Sequence, residues 1–338
     1  MIIKCIPEIP LLEEFDDYYS LSLDFMITSD EKDEAELTSI VMECIRNDEL
    51  VGRKIVDSNG VSPGIKSMNR TVFPGSETCC VFNPFHTIEK GLAFSHLRFV
   101  FRFSHRESTI ETSVDVYPKR FSAVTELELP LKGRILTYEA HDFLSHHRRV
   151  DLSHPVLQKI KLFKNSGRYS FDFCPVTPDG RLSVNDGSMN EDWLGYGADV
   201  FAPADGVITG LENSTEDNVM GQKEFDFDQV FDNPASLFGN HVIIDHENGE
   251  YSLLAHLMKG SLKVKRGQKV ERNTKIAKLG LSGCTSWCHL HYELRESAEF
   301  DCHGLPSSFS RASPASDSFR RGKRLNPQSG VVIITQSR

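Results

Sequence analysis

Several short runs of this chain place apolar residues at every second position. Leu21, Leu23, Phe25 and Ile27 do so in "LSLDFMITS", and Leu97, Phe99, Phe101 and Phe103 in "LRFVFRF". Leu127, Leu129 and Leu131 repeat the pattern in "ELELPL". A period of two buries one face of a strand and wets the other, as in a sandwich. Turn clusters such as "SNGVSPG" and "FPGSE" separate the runs. One segment reads two ways: Leu37, Ile40, Val41 and Cys44 fit a helical stripe, while the short β-branched pieces around them fit a strand. The pattern predicts a mainly β chain whose first domain, residues 1–137, is an immunoglobulin-like β-sandwich without evident chemistry of its own.

From residue 169 onward the short strands continue, as "RYSFDF", "GVITGL", "NHVIIDH", "YSLLAHL", "KIAKLG" and "HLHYELR", set between Gly, Asn, Asp and Pro turns. This predicts a second, antiparallel β-rich domain over 138–310, a barrel or open groove with few helices. A long acidic interruption at 212–239 carries seven acids against one lysine. It reads as a solvated insertion or as a rim over a site. The tail, 311–338, is rich in Ser, Pro and Arg until Val331 to Thr335, a candidate closing strand.

A length of 338 residues suits two domains. The formal charge of −10 argues against a nucleic-acid partner, which selects for excess Lys and Arg. No stretch approaches the roughly 18–20 apolar residues that span a bilayer. The start, "MIIKCIPEIPLLEEFDDYYS", has no signal-peptide pattern. The protein is therefore expected to be cytoplasmic as given, or to belong to the cell envelope if an export signal lies upstream. Eight scattered cysteines with no CxxC pair read as reduced or buried thiols. Oligomeric state is left open.

The histidines change the picture. Ten of thirteen fall between 141 and 303. In "HLHYELR", His289 and His291 stand two apart and so project from one face of a strand. Two neutral imidazoles converging on one spot offer two lone pairs, which suits zinc. His256 ends another alternating strand, and Asp172 and Asp192 are carboxylates upstream. A catalytic zinc needs three protein ligands, an open position, a proton acceptor and a donor for the developing oxyanion.

Four blocks in order, "GADVFAPADGVI", "GNHVIIDHENGEYSLLAHL", "VKRGQKVERNTKIAKLGLSG" and "HLHYELR", resemble the core of the LytM/lysostaphin-type zinc endopeptidases, across roughly residues 165–310. The resemblance implies a duplicated hybrid motif fold, a Zn²⁺ cofactor and a peptide or peptidoglycan substrate. It also implies His291 as a zinc ligand and His256 and His289 as catalytic histidines that do not bind the metal. One of these two would accept a proton and the other would hold the oxyanion. The family's remaining ligands come from a His-xxx-Asp motif, and here the sequence departs. "RYSFDF" makes Asp172 the carboxylate ligand, but Arg168 stands where the His belongs. Either His147 or its neighbour His146 reaches in to join Asp172, or the metal site is incomplete; His154 is a weaker candidate. Asp192, His241 and His246 read as structural.

The resemblance thus implies a zinc-dependent endopeptidase acting on peptidoglycan cross-links. Three rivals differ in class. One is a zinc-free, degenerate member that binds or activates another cell-wall hydrolase. Another is a lipoyl-like carrier barrel, suggested by "APADGVI" and "VKRGQKV" but lacking a modifiable lysine at the right hairpin. The last is a zinc hydrolase acting on an intracellular peptide.

Overall fold

A computed structural model describes residues 1–220, 225–316 and 324–335. Parts of the 212–239 insertion and of the tail therefore lie outside the described residues. The fold is mainly β, built from several antiparallel sheets. The chain divides into two compact units. One comprises Met1–Ser122 with Asp151–Gln158, the other Ala123–Val150 with Lys159–Arg338.

In the first unit, the strands Ile2–Ile6, Asp24–Thr28 and Thr78–Phe82 form one antiparallel sheet. A second sheet orders Ser108–Val116, His96–His105, Ala35–Arg46 and Glu49–Asp57. Phe25 of the first sheet meets Phe99 and Phe101 of the second at ring-centroid distances of 4.8 and 4.9 Å, so the alternating runs bury their apolar faces against each other. The ambiguous segment is a strand. Its register slips between Arg102 and Phe103 of the neighbouring strand, so that Thr38 bulges out between Leu37 and Ser39. The bulge sets Leu37 and Ile40 on one face three residues apart, which imitates a helical spacing.

The second unit holds a ten-stranded antiparallel sheet. Its order runs Lys269–Val270, Gly206–Glu212, Asn240–Asp245, Tyr251–Leu257, Leu290–Arg295, Phe171–Pro175, Arg134–Glu139, Val332–Thr335 and Ala312–Pro314, and Gly304–Leu305 pairs with Leu290–Arg295. The sheet stays open and does not close into a barrel. The run at Leu127 falls in this unit, where Leu127–Glu128 pairs in parallel with Phe309–Ser310.

The central strands have two unlike faces. Phe171 stands opposite Tyr292 and Phe173 opposite Leu290, and these side chains pack with Phe309 into a core. On the other face Glu139, Asp172, His291 and Ala255 follow one another across four strands. Strand alternation thus sorts aromatic residues to one side and titratable ones to the other. Among the described residues no helix is long and apolar enough to cross a membrane.

Candidate metal centre

The polar face is crowded with imidazoles around one carboxylate. Asp172 is 1% exposed. Its Oδ1 lies 3.1 Å from Nδ1 of His291, its cross-strand neighbour, and 3.3 Å from Nε2 of His289. His147 approaches from the other side, with Nε2 3.1 Å from Asp172 Oδ2. This approach follows from topology. Glu139 pairs with Asp172 in the sheet, and the loop carrying His146 and His147 leaves that strand directly. Glu139 accepts from the backbone N–H of His146 at 2.7 Å and faces its ring at 2.6 Å, while Asn165 Nδ2 donates to the His147 carbonyl at 2.8 Å. The two histidine rings lie 3.9 Å apart, but His146 is 61% exposed whereas His147 is buried.

His256 joins this face through an unusual backbone. Its neighbour Ala255 stands opposite His291, so strict alternation would send His256 to the aromatic side. Instead His256 has φ of 62°. That left-handed conformation turns its ring towards His289 and His291, at centroid distances of 4.9 and 5.8 Å. For a residue with a Cβ the conformation costs about 1–2 kcal/mol, and strain of this kind gathers at functional sites. Gly280 donates its backbone N–H to the His256 carbonyl at 2.9 Å. A Cβ on Gly280 would lie 2.4 Å from Met258 Cα, so only glycine permits this approach.

Hydrogen bonds fix the ring nitrogens. Nδ1 of His256 donates to the Ser282 carbonyl at 2.8 Å, and Nδ1 of His289 to the Trp287 carbonyl at 3.1 Å. Each therefore turns its Nε2 lone pair inward. His291 is set the other way: its Nε2 faces Glu293 Oε1 at 3.0 Å, which leaves Nδ1 towards Asp172.

Burial and neighbouring charge move the proton affinities. Burial alone would raise the Asp172 carboxyl, yet His289 and His147 hold it well below the usual carboxylate range. Burial, reinforced by His289 and His291, pushes His256 well below an ordinary imidazole. His147 is also lowered, mainly by burial, against the pull of Asp172. Burial opposes protonation of His291 as well, but hydrogen bonds to Asp172 and Glu293 prevail and raise it to about 9. A ring between two carboxylates attracts positive charge.

The donor set fits a cation. Although His147 Nε2 and Asp172 Oδ2 are fully buried and 3.1 Å apart, neither makes a hydrogen bond. Two buried groups that can each offer a lone pair and stand 3.1 Å apart suit a shared metal ion. Zinc with bonds of about 2.0–2.1 Å places neighbouring tetrahedral ligand atoms about 3.3 Å apart, close to the separations around Asp172. Donor atoms of His146, His147 and Asp172 lie within 4.8 Å of one another, as do those of His256, His289 and His291.

A cavity of about 890 Å³ opens onto these residues. The acidic insertion supplies part of its wall, through Asn218, Val219, Met220, Phe225, Phe227, Leu237 and Phe238. Phe238 lies 6.3 Å from the His291 ring and Trp287 4.8 Å from the His289 ring, so an aromatic side chain flanks the centre on either hand.

Other candidates lie elsewhere. Arg168 is buried and does not line the cavity. His154 is an exposed residue of the first unit whose Nδ1 accepts from Val156 N. Asp192 accepts from Asn185 and from the Met189 backbone in a turn. His241 binds the Gly239 carbonyl at 2.8 Å, and His246 bridges the Asp205 carbonyl and Ser252 Oγ, each at 2.7 Å. All eight cysteines are free thiols. The residue that sequence reasoning missed is Glu293; its signal was the same two-residue spacing, one step beyond His291.

An open antiparallel sheet thus presents clustered histidines and a buried carboxylate to a cavity, a donor set that could hold a metal ion. The comparisons with known proteins make that specific. Residues 193–302 match Peptidase family M23, and the second unit carries a domain of this peptidase family. The matched span contains His256, His289 and His291 but begins after His147 and Asp172. Over 56 residues the chain is 45% identical to the peptidoglycan DD-endopeptidase ShyA of Vibrio cholerae, a stretch covering 17% of this chain and 13% of that protein. Among solved structures, the M23 metalloprotease pseudoalterin from the deep sea aligns at 16% identity and TM-score 0.30, covering 60% of this chain and 95% of that one. A zinc-containing peptidase from Vibrio cholerae aligns at 15% identity and TM-score 0.25, covering 82% and 76%.

Proposed function

We propose that the protein is a zinc-dependent endopeptidase that hydrolyses the peptide cross-links of peptidoglycan and works at the cell envelope. The observation that carries this reading is that His147 Nε2 and His291 Nδ1 each lie 3.1 Å from an oxygen of the buried Asp172 carboxylate, Oδ2 and Oδ1 respectively. In this reading these three residues hold the ion. The domain family and the short stretch shared with a peptidoglycan endopeptidase support the substrate class.

Zinc, when bound, polarises a carbonyl and acidifies water. The chain's own residues do the rest. His256 is kept neutral by burial and keeps an inward-facing Nε2 lone pair, so it serves as the proton acceptor. His289, its Nδ1–H held by the Trp287 carbonyl, is the second imidazole of the site, and as an imidazolium its Nε2–H would donate to the developing oxyanion. The apolar wall around them excludes water and strengthens each of these interactions.

Metal analysis combined with digestion of purified peptidoglycan tests the reading. One zinc per chain and the conversion of cross-linked peptides into uncross-linked ones are expected, with both lost in Asp172→Asn. A protein that takes up no zinc, or that leaves peptidoglycan intact when zinc-loaded, refutes it.

A further inference from the structure

We infer that Glu293, held by Arg295, is a positioning residue for His291; this rests on the zinc reading above. His291, Glu293 and Arg295 alternate on one strand and so share a face. Glu293 Oε1 lies 3.0 Å from His291 Nε2. A carboxylate can only accept, so Nε2 keeps its hydrogen on Glu293, and with an ion between His291 and Asp172 Nδ1 would be the nitrogen that supplies the lone pair. Glu293 thus chooses which ring nitrogen faces the metal position.

Arg295 sets a counter-charge beside Glu293. It is fully buried, and its Nη1 lies 3.6 Å from Glu293 Oε2. The guanidinium is itself pinned: Nε donates to Cys302 Sγ at 3.0 Å, Nη2 donates to the carbonyls of Glu299 and Phe300, and the group lies 5.8 Å over the Phe238 ring. Ser166 Oγ adds a long contact, 3.5 Å, to the same Glu293 oxygen that faces the imidazole. A buried ion pair gains little stability over an apolar pair of equal volume, because desolvation offsets the attraction. What it contributes here is a fixed orientation. Partners of metal-binding histidines act in this way, setting the tautomer and basicity of the ring.

The test uses the full chain, with Glu293→Gln and Glu293→Asp. Gln removes the charge and can present a donor to Nε2, while Asp keeps the charge but shortens the reach. Thermal melting identifies the folded variants. Zinc affinity is measured by competition with a chromophoric chelator, and the His291 ring proton by long-range ¹H–¹⁵N correlation on the zinc-loaded protein. Zinc affinity is expected to fall by about ten- to a hundredfold in both variants, with the Nε2 proton moving upfield. Folded variants that bind zinc within twofold of wild type, with an unmoved ring proton, overturn the inference and leave the zinc reading standing. A wild type that takes up no zinc overturns both.

Discussion

Asp172 and His291 stand directly opposite each other on adjacent antiparallel strands, with Oδ1 and Nδ1 3.1 Å apart. Cross-strand pairing of this kind fixes the separation of two side chains through the sheet itself. His147 is the partner that the sheet does not fix, since it arrives on a loop.

The loop position makes His147 the sharpest test of the ligand set. His147→Ala is expected to lower zinc affinity by more than the roughly ten- to hundredfold that losing a hydrogen-bonded partner of a ligand costs. His154→Ala, in the first unit, should leave it unchanged. Arg168→His should not restore binding to the His147 variant, because position 168 does not line the cavity. Equilibrium zinc competition on the three proteins decides this.

His256 separates side-chain chemistry from backbone strain. Asn tolerates left-handed φ better than other substitutes, so His256→Asn should fold nearly as well as wild type while activity falls about 10²–10⁴-fold. His256→Val, β-branched at the same φ, should be less stable than His256→Asn by roughly 1–2 kcal/mol. Urea unfolding set beside peptidoglycan digestion reads the two effects apart.

Gly280 should tolerate no side chain. In Gly280→Ala the new Cβ would meet Met258 backbone atoms at 2.4 and 2.5 Å. A loss of about 1–3 kcal/mol is expected, as for overpacking elsewhere. Activity should fall further than stability alone explains, because Gly280 N–H holds the His256 carbonyl. Unfolding midpoints and residual activity, compared in the same preparation, check it.

Acid should destabilise the second unit through its structural histidines. Burial lowers both His241 and His246 below the ordinary value of 6.5. Above that value the folded and unfolded chains are both neutral at these sites, so stability is unaffected. As pH falls below 6.5 the unfolded chain takes up protons that the folded one refuses, and stability declines by up to about 1.4 kcal/mol per pH unit for each group. His246 explains its own reluctance: with Nδ1 donating to the Asp205 carbonyl, its Nε2 has to accept from Ser252. His246→Gln should flatten the slope between pH 6.5 and 5, measured by urea unfolding; an unchanged slope contradicts the assignment.

Strand periodicity made much of the β architecture legible, because Phe25, Phe99, Phe101 and Phe103 declare their face by spacing alone. The same rule placed His289 and His291 together. It left Leu37 and Ile40 open between helix and strand, because one bulged residue changes the count. It is silent on His256, whose direction depends on a backbone torsion that no apolar pattern reports. His147 is harder still. Its proximity to Asp172 depends on Glu139 and Asp172 being sheet neighbours, a long-range pairing that residue types near 147 do not encode.

Gly239 and Gly283 meet main chain to main chain at the foot of the insertion, where a Cβ on Gly239 would fall 2.4–2.5 Å from Ser282 and Gly283. The Leu237 carbonyl takes the Cys284 N–H at 2.9 Å, and Asn240 N–H binds Ser282 Oγ at the same distance. Such a joint has no slack. Ser282, which Asn240 grips by its hydroxyl, is also the residue whose carbonyl steadies the His256 ring, so the root of the insertion and the proposed proton acceptor rest on one serine.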